Sequence, residues 1–230
     1  MRKLKDFITN FFKQYRHIWI LSYFAIYLVW FNYLEKMVTT HFHVIHVPID
    51  DYIPFCEYFV IPYIMWFGYV AWAVGYFYLK NKDSSIRDFI NFNKTIFLIV
   101  STLYPNGQYL RPYYFSHHNL CTTLCEWLYS TDTPTNLFPS IHVYNSLGIH
   151  FAVMKSEELK DKKTVRILSF ILCTGIIMAT MLIKQHSVFD VSMAFILAFV
   201  MYNLVYVRNW SKLPQSSAGH LKDKKRLPQV

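Results

Sequence analysis

The chain has 230 residues, of which 54% are hydrophobic, 19% aromatic and only 16% charged, and 23 Lys and Arg against 14 Asp and Glu leave a formal net charge of +9. A soluble domain carries about a quarter charged residues, so this balance excludes an ordinary soluble globular protein and points to a membrane protein. The basic surplus comes without a basic–aromatic nucleic-acid motif, so nucleic acid is not an expected partner.

Residues 1–17, "MRKLKDFITNFFKQYRH", interleave basic and aromatic side chains, as expected of an interfacial segment lying on the inner leaflet. Residues 18–207 then hold six apolar runs: Ile18–Leu34, Tyr58–Leu79, Phe89–Leu103, Leu137–Met154, Ile167–Ile183 and Val188–Val207. Each has the length of a helix that crosses a hydrocarbon core of roughly 30 Å. The expected fold class is therefore all-α, a polytopic bundle of six transmembrane helices. The first run follows a basic stretch but leads into bulky "WFNYLEKM", without small residues for cleavage, and is expected to stay as an anchor. Residues 208–230 form a polar, basic tail whose composition predicts disorder.

Basic residues set the expected orientation. Arg2, Lys3, Lys5, Lys13 and Arg16 precede the first run, and Lys80, Lys82 and Arg87 follow the second. Lys155, Lys160, Lys162, Lys163 and Arg166 separate the fourth from the fifth, and six more Lys and Arg follow the sixth. The opposite side carries only Lys36, Arg111 and Lys184, while Lys94 lies within a run. The positive-inside rule then places both termini in the cytoplasm, and the surplus charge faces anionic headgroups. The sequons at Asn93 and Asn209 fall within a helix or on the inner side, where they are expected to be unused. Cys56, Cys121 and Cys125 fall in outer loops where oxidation is possible, but spacing selects no pair.

On the outer side, polar residues converge from separate places. Arg111 stands in "YLRP"; Ser140 and His142 stand in "FPSIH", at the start of the fourth helix. Lys184, His186 and Asp190 stand in "KQHSVFD", at the start of the sixth. At a spacing of four, Asp190 can accept a proton from one nitrogen of His186 and leave the other as nucleophile or base. The blander reading is an ion pair or a helix cap. Ser140 and the free N–H groups behind it suit a phosphate oxygen, or an ordinary N-cap. His142, one turn in, is placed to protonate a leaving group. Arg111 offers a planar, permanently charged fork for phosphate, or for a headgroup.

"YPNGQYLRP", "PSIH" and "ATMLIKQHSVFD" together resemble the three motifs of the type 2 phosphatidic acid phosphatase (PAP2) superfamily of membrane lipid phosphatases and phosphotransferases, in order and in spacing. The resemblance covers about Tyr104 to Asp190. It implies a six-helix domain whose active site lies on the non-cytoplasmic face, and chemistry that needs no metal and no cofactor. It implies His186 as a nucleophile forming a phosphohistidine, Asp190 as its orienting group and His142 as general acid. Arg111 and Ser140 would hold phosphate. The implied substrate is a phospholipid or an isoprenoid or sphingolipid phosphate, in a plasma membrane if bacterial or an endomembrane if eukaryotic.

Departures from the family pattern narrow this. Its first Lys falls on Tyr104, its Gly on Ile141, and its Ser–Arg pair on Ala179 and Thr180. Lys184 is the expected replacement for one missing cation. A monoester dianion needs more compensating charge than a diester monoanion, so the deficit leans toward the branch resembling inositol-phosphoceramide and sphingomyelin synthases, which move a phospho-headgroup between lipids. The rival from another class is a transporter or scaffold of the same fold without activity. Elsewhere, "HFHVIH" (His41, His43, His46) is read as an interfacial segment, not as a metal site. His117 and His118 are near enough to Arg111 in sequence to line the site. His150 is read as a core histidine, and Asp132 with Thr133 as shaping the approach to Ser140, or as a polar turn.

Overall fold

The computed structural model describes residues 29, 33, 44–79, 115, 117–132 and 138–207. The expectations for residues 1–17, nearly all of the first apolar run, the third run, the tail, both sequons, Tyr104, Arg111, His41, His43 and Thr133 lie outside the described residues.

Among the described residues the fold is all helical. Five α-helices occur, α1 (Val60–Leu79), α2 (Leu120–Thr131), α3 (Ile141–Lys155), α4 (Lys163–Leu182) and α5 (Val188–Tyr202), whose end widens into a π-helical turn, Asn203–Val207. Three stretches are long and apolar enough to cross a membrane: Glu57–Phe77, Lys163–Leu182 and Val188–Val207. They match the second, fifth and sixth apolar runs. The fourth run becomes α3, which at 15 residues is shorter than the ~20 that a full crossing needs. The apolar run begins at Leu137, but the helix begins at Ile141, because Ser140 caps it by accepting from the Val143 N–H at 3.4 Å.

Helix α3 is the centre of the bundle. Val143, Tyr144 and Leu147 pack against Val191, Ala194 and Ala198 of α5 and Cys173 of α4. The other side of α3, with Ile149, Ala152 and Val153, packs against Tyr69, Ala73 and Phe77 of α1 and Ile176 of α4. The outward sides of the flanking helices expose large apolar side chains, among them Met65, Phe67 and Trp72 of α1, Phe170 and Ile171 of α4, and Phe199 and Val200 of α5. So much exposed apolar surface is tolerable where lipid replaces water.

Helix α2 was expected as loop. Asn119 caps it, accepting from the Thr122 N–H at 2.9 Å while its own N–H donates to Thr122 Oγ1 at 2.8 Å. It buries Cys125 and Leu128 against Val60, Tyr63, Ala179 and Ile183. The first residues of α1, α3 and α5 and the last of α4 meet beside it. The Cys56 N–H donates to Leu182 O at 3.0 Å, and the Ser140 N–H to Asp190 O at 3.4 Å. All four cysteines, Cys56, Cys121, Cys125 and Cys173, are free thiols. Burial pushes the Cys125 thiol up to about 12.

Candidate active site

The α4–α5 turn is built around an unusual backbone. Ile183 N–H donates to Ala179 O, and the N–H groups of Gln185 and His186 both donate to Thr180 O, at 3.0 and 2.9 Å. Lys184 sits at φ 57, the left-handed region in which glycine normally closes a helix. The segment preceding α1 holds it there. The Lys184 ammonium donates to the carbonyls of Asp50 and Ile53 at 2.8 and 2.5 Å. Burial lowers the lysine below its ordinary range, with Asp50 and Asp51 pulling in the opposite direction. Asp50 completes the clasp. It accepts from the Ser187 hydroxyl at 2.6 Å and the Val188 N–H at 2.8 Å, so a carboxylate from a distant segment caps α5. Tyr129 of α2 donates its hydroxyl to Ile183 O in the same turn.

His186 and Asp190 face each other within this frame. Nδ1 of His186 lies 3.5 Å from Asp190 Oδ2, and the two side chains are 4% and 0% exposed. Their approach is not that of two residues on one helix face, because His186 precedes the cap Ser187. It follows from the capping box, in which Ser187 Oγ accepts from the Phe189 N–H and Asp190 Oδ2 from the Ser187 N–H. Asp190 Oδ2 therefore caps α5 while it faces His186 Nδ1. His186 Nδ1 and Asp190 Oδ1 are buried without a hydrogen bond among the described residues. Unpaired buried groups of this kind are costly.

His142 enters from α3, its ring centroid 5.7 Å from that of His186. Tyr63 and Trp66 of α1 cover it, at centroid distances of 4.5 and 4.3 Å. The Tyr63 hydroxyl lies 3.5 Å from His142 Nδ1 and donates to Asp132 Oδ2 at 2.7 Å. That same Oδ2 stands 3.8 Å from His142 Nε2. The pair of acids and the pair of imidazoles thus occupy one end of the bundle.

Of the residues expected from sequence, His142, Ser140, His186 and Asp190 come together at this end, and Arg111 lies outside the described residues. Lys184 belongs to the same turn as His186, yet its ammonium is spent on two backbone carbonyls. Ser140 is fully buried and works as the α3 cap and as the backbone tie to α5. His117 pairs with Glu57 at 3.1 Å and His118 with Glu126 at 3.7 Å, anchoring the start of α2. His46 pairs with Asp51 at 2.9 Å. His150 is half-buried, its Nδ1 3.0 Å from Ser169 Oγ, which in turn lies 2.6 Å from the Tyr69 hydroxyl. Tyr69 and Ser169 form part of the wall of a 420 Å³ cavity between α1 and α4, otherwise lined by apolar side chains such as Met65, Trp72 and Leu168.

Sequence reasoning passed over Tyr63 and Asp50. Tyr63 was one tyrosine among 18 and carried no signal of its own. Asp50 offered one, as the first of two adjacent acids in an aromatic, proline-punctuated segment.

No protein-family model, curated protein or solved structure matches the chain.

Proposed function

We propose that the protein is a membrane lipid phosphatase or phosphotransferase working through a phosphohistidine, at the end of the bundle that the basic residues assign to the non-cytoplasmic face. The observation carrying this reading is the meeting of two buried imidazoles from different elements, 5.7 Å apart, one of them backed by a buried carboxylate. A structural core has little use for two buried histidines side by side, one of them with an unpaired ring nitrogen beside a buried carboxylate.

In the first step His186 Nε2 attacks phosphorus while Asp190 steadies the charge that develops on the ring through Nδ1. The P–O bond to the leaving alcohol breaks, and a proton from His142 goes to that oxygen. In the second step water or another alcohol attacks the phosphohistidine and yields its proton to the now neutral His142. The P–N bond breaks and His186 is restored. Water makes the protein a phosphatase; an alcohol makes it a transferase.

The commitment of Lys184 to the carbonyls of Asp50 and Ile53 favours the second outcome. With that cation engaged, a phosphodiester monoanion suits the site better than a monoester dianion, as in transfer of a phospho-headgroup between lipids.

The test is purified protein in nanodiscs with phosphorus-labelled phosphatidic acid, a labelled phosphodiester lipid, and each with and without a long-chain alcohol. Turnover with an acid-labile phosphoprotein that His186→Ala abolishes supports the reading. A folded protein with neither turnover nor label on any of these would sink it in favour of a transporter or scaffold.

A further inference from the structure

Resting on that reading, we propose that Asp132, held by Tyr63, is the positioning residue that sustains the proton His142 delivers to the leaving alcohol. Asp132 contributes from outside the three motifs and from the far end of α2.

Asp132 is the C-cap of α2, its N–H donating to Leu128 O at 2.7 Å. A carboxylate there meets the negative end of the helix dipole, which is unfavourable. It is nonetheless aimed at His142, by a 2.7 Å hydrogen bond from a phenol 69 residues earlier in the chain. Tyr63 is itself fully buried, with its ring lying against His142.

The chemistry requires a group in that position. A protonated imidazole removed from water needs a negative charge nearby. Asp190 faces His186 and is occupied with the α5 cap, so it does not serve both rings. Among the described residues, the titratable groups facing His142 are Tyr63 from α1, Asp132 from the end of α2, and His186 from the α4–α5 turn. Only Asp132 among these brings a negative charge directly to it. At 3.8 Å from Nε2 it acts as a charge, without a hydrogen bond that would block that nitrogen. Its side chain is 28% exposed against 5% for His142, so it stands on the solvent side of the ring.

The experiment compares kcat/KM against pH for two diester substrates with the same headgroup, one leaving as an alkyl alcohol and one as nitrophenolate, which needs no proton. With the alkyl substrate, Asp132→Asn should lose on the order of 10²-fold. The descending alkaline limb of its profile should move to lower pH, and Asp132→Glu should recover part of both. With the nitrophenyl substrate the loss should stay within about threefold, because the general acid is not used. Equal losses on both substrates, or an unmoved alkaline limb, would make Asp132 merely structural and overturn the proposal. Should Asp132→Asn fail to fold, Tyr63→Phe keeps the ring and must show the same dependence on leaving group at smaller size, or the proposal falls. Wild type that turns over neither substrate and forms no phosphoprotein would instead defeat the underlying phosphohistidine reading.

Discussion

The two imidazole–carboxylate pairs at this end of the bundle are built in opposite ways. His186 and Asp190 belong to one short stretch, and their approach is fixed by a capping box, a left-handed lysine and the Asp50 clasp. His142 and Asp132 come from separate helices, and Tyr63 of a third contacts both. The first pair is wholly buried; the second has its carboxylate partly in solvent. Local construction suits a nucleophile, whose ring must be fixed and desolvated. Under the proposed mechanism, construction across elements suits an acid, whose proton leaves with the alcohol and returns from the incoming water or alcohol.

The comparison predicts a hierarchy of losses. Asp190→Asn should be the most damaging, because an amide can still accept from the Ser187 N–H while leaving the charge on His186 unsupported. Phosphoprotein formation should fall on the order of 10³-fold with little change in melting temperature. A loss of folding without a specific effect on phosphoprotein formation would show that Asp190 acts here as a cap alone.

Next comes Asp50→Ala. It removes three acceptor contacts, to the Val47 N–H, the Ser187 hydroxyl and the Val188 N–H. Two of these hold the start of α5, so stability should drop by about 2–3 kcal/mol, read as a lower midpoint of detergent unfolding. His186 should lose its position with the turn, while the environment of His142 should not change. Histidine NMR resonances of the two rings separate these outcomes, and equal perturbation of both would erase the distinction between local and cross-element construction.

That distinction also accounts for what the sequence made legible. His186, Asp190, Ser140 and His142 lie in short motifs, where spacing alone carries geometric meaning. Tyr63 lies 69 residues from the carboxylate it holds, and no periodicity within α1 marks one tyrosine as facing the two histidines. Helix α2 was missed because an aromatic, proline-punctuated text conceals a helix of only 12 residues. Asn119 before "LCTTLC" was its one local sign. The apolar length of α1, α4 and α5 was easy to read, because uncharged length is itself what crossing a membrane requires. Their boundaries were less so. Helix α4 begins at Lys163 instead of Ile167, since Lys163 and Arg166 can stand in the first turn with their charges outside the apolar layer.

A smaller effect tests the cross-element pair from a distance. Asn119→Ala removes the α2 cap and its contact with Glu57, at a cost of about 1 kcal/mol. Turnover should fall a few-fold with the alkyl substrate while phosphoprotein formation from the nitrophenyl substrate is spared. An unchanged ratio of the two rates would mean that α2 does not control how Asp132 meets His142.

The least effect is expected at Lys184, where the question is whether its charge serves the turn or the substrate. Lys184→Gly gives up the bonds to Asp50 O and Ile53 O but relieves the backbone at φ 57, a gain of about 1 kcal/mol. Lys184→Met loses the bonds and keeps the strain, so it should be the less stable of the two, with KM for the lipid changed less than about threefold in either. The pH dependence gives a further sign. Burial lowers this lysine in the folded protein, so the folded state holds the proton less firmly than the unfolded chain. Wild type should therefore gain stability relative to Lys184→Met as pH rises from that lowered value toward the ordinary ~10.4. An ammonium held chiefly by the Asp50 and Asp51 carboxylates would show the opposite slope. A tenfold rise in KM in both variants, with stability untouched, would return Lys184 to the phosphate and remove the support it lends to headgroup transfer.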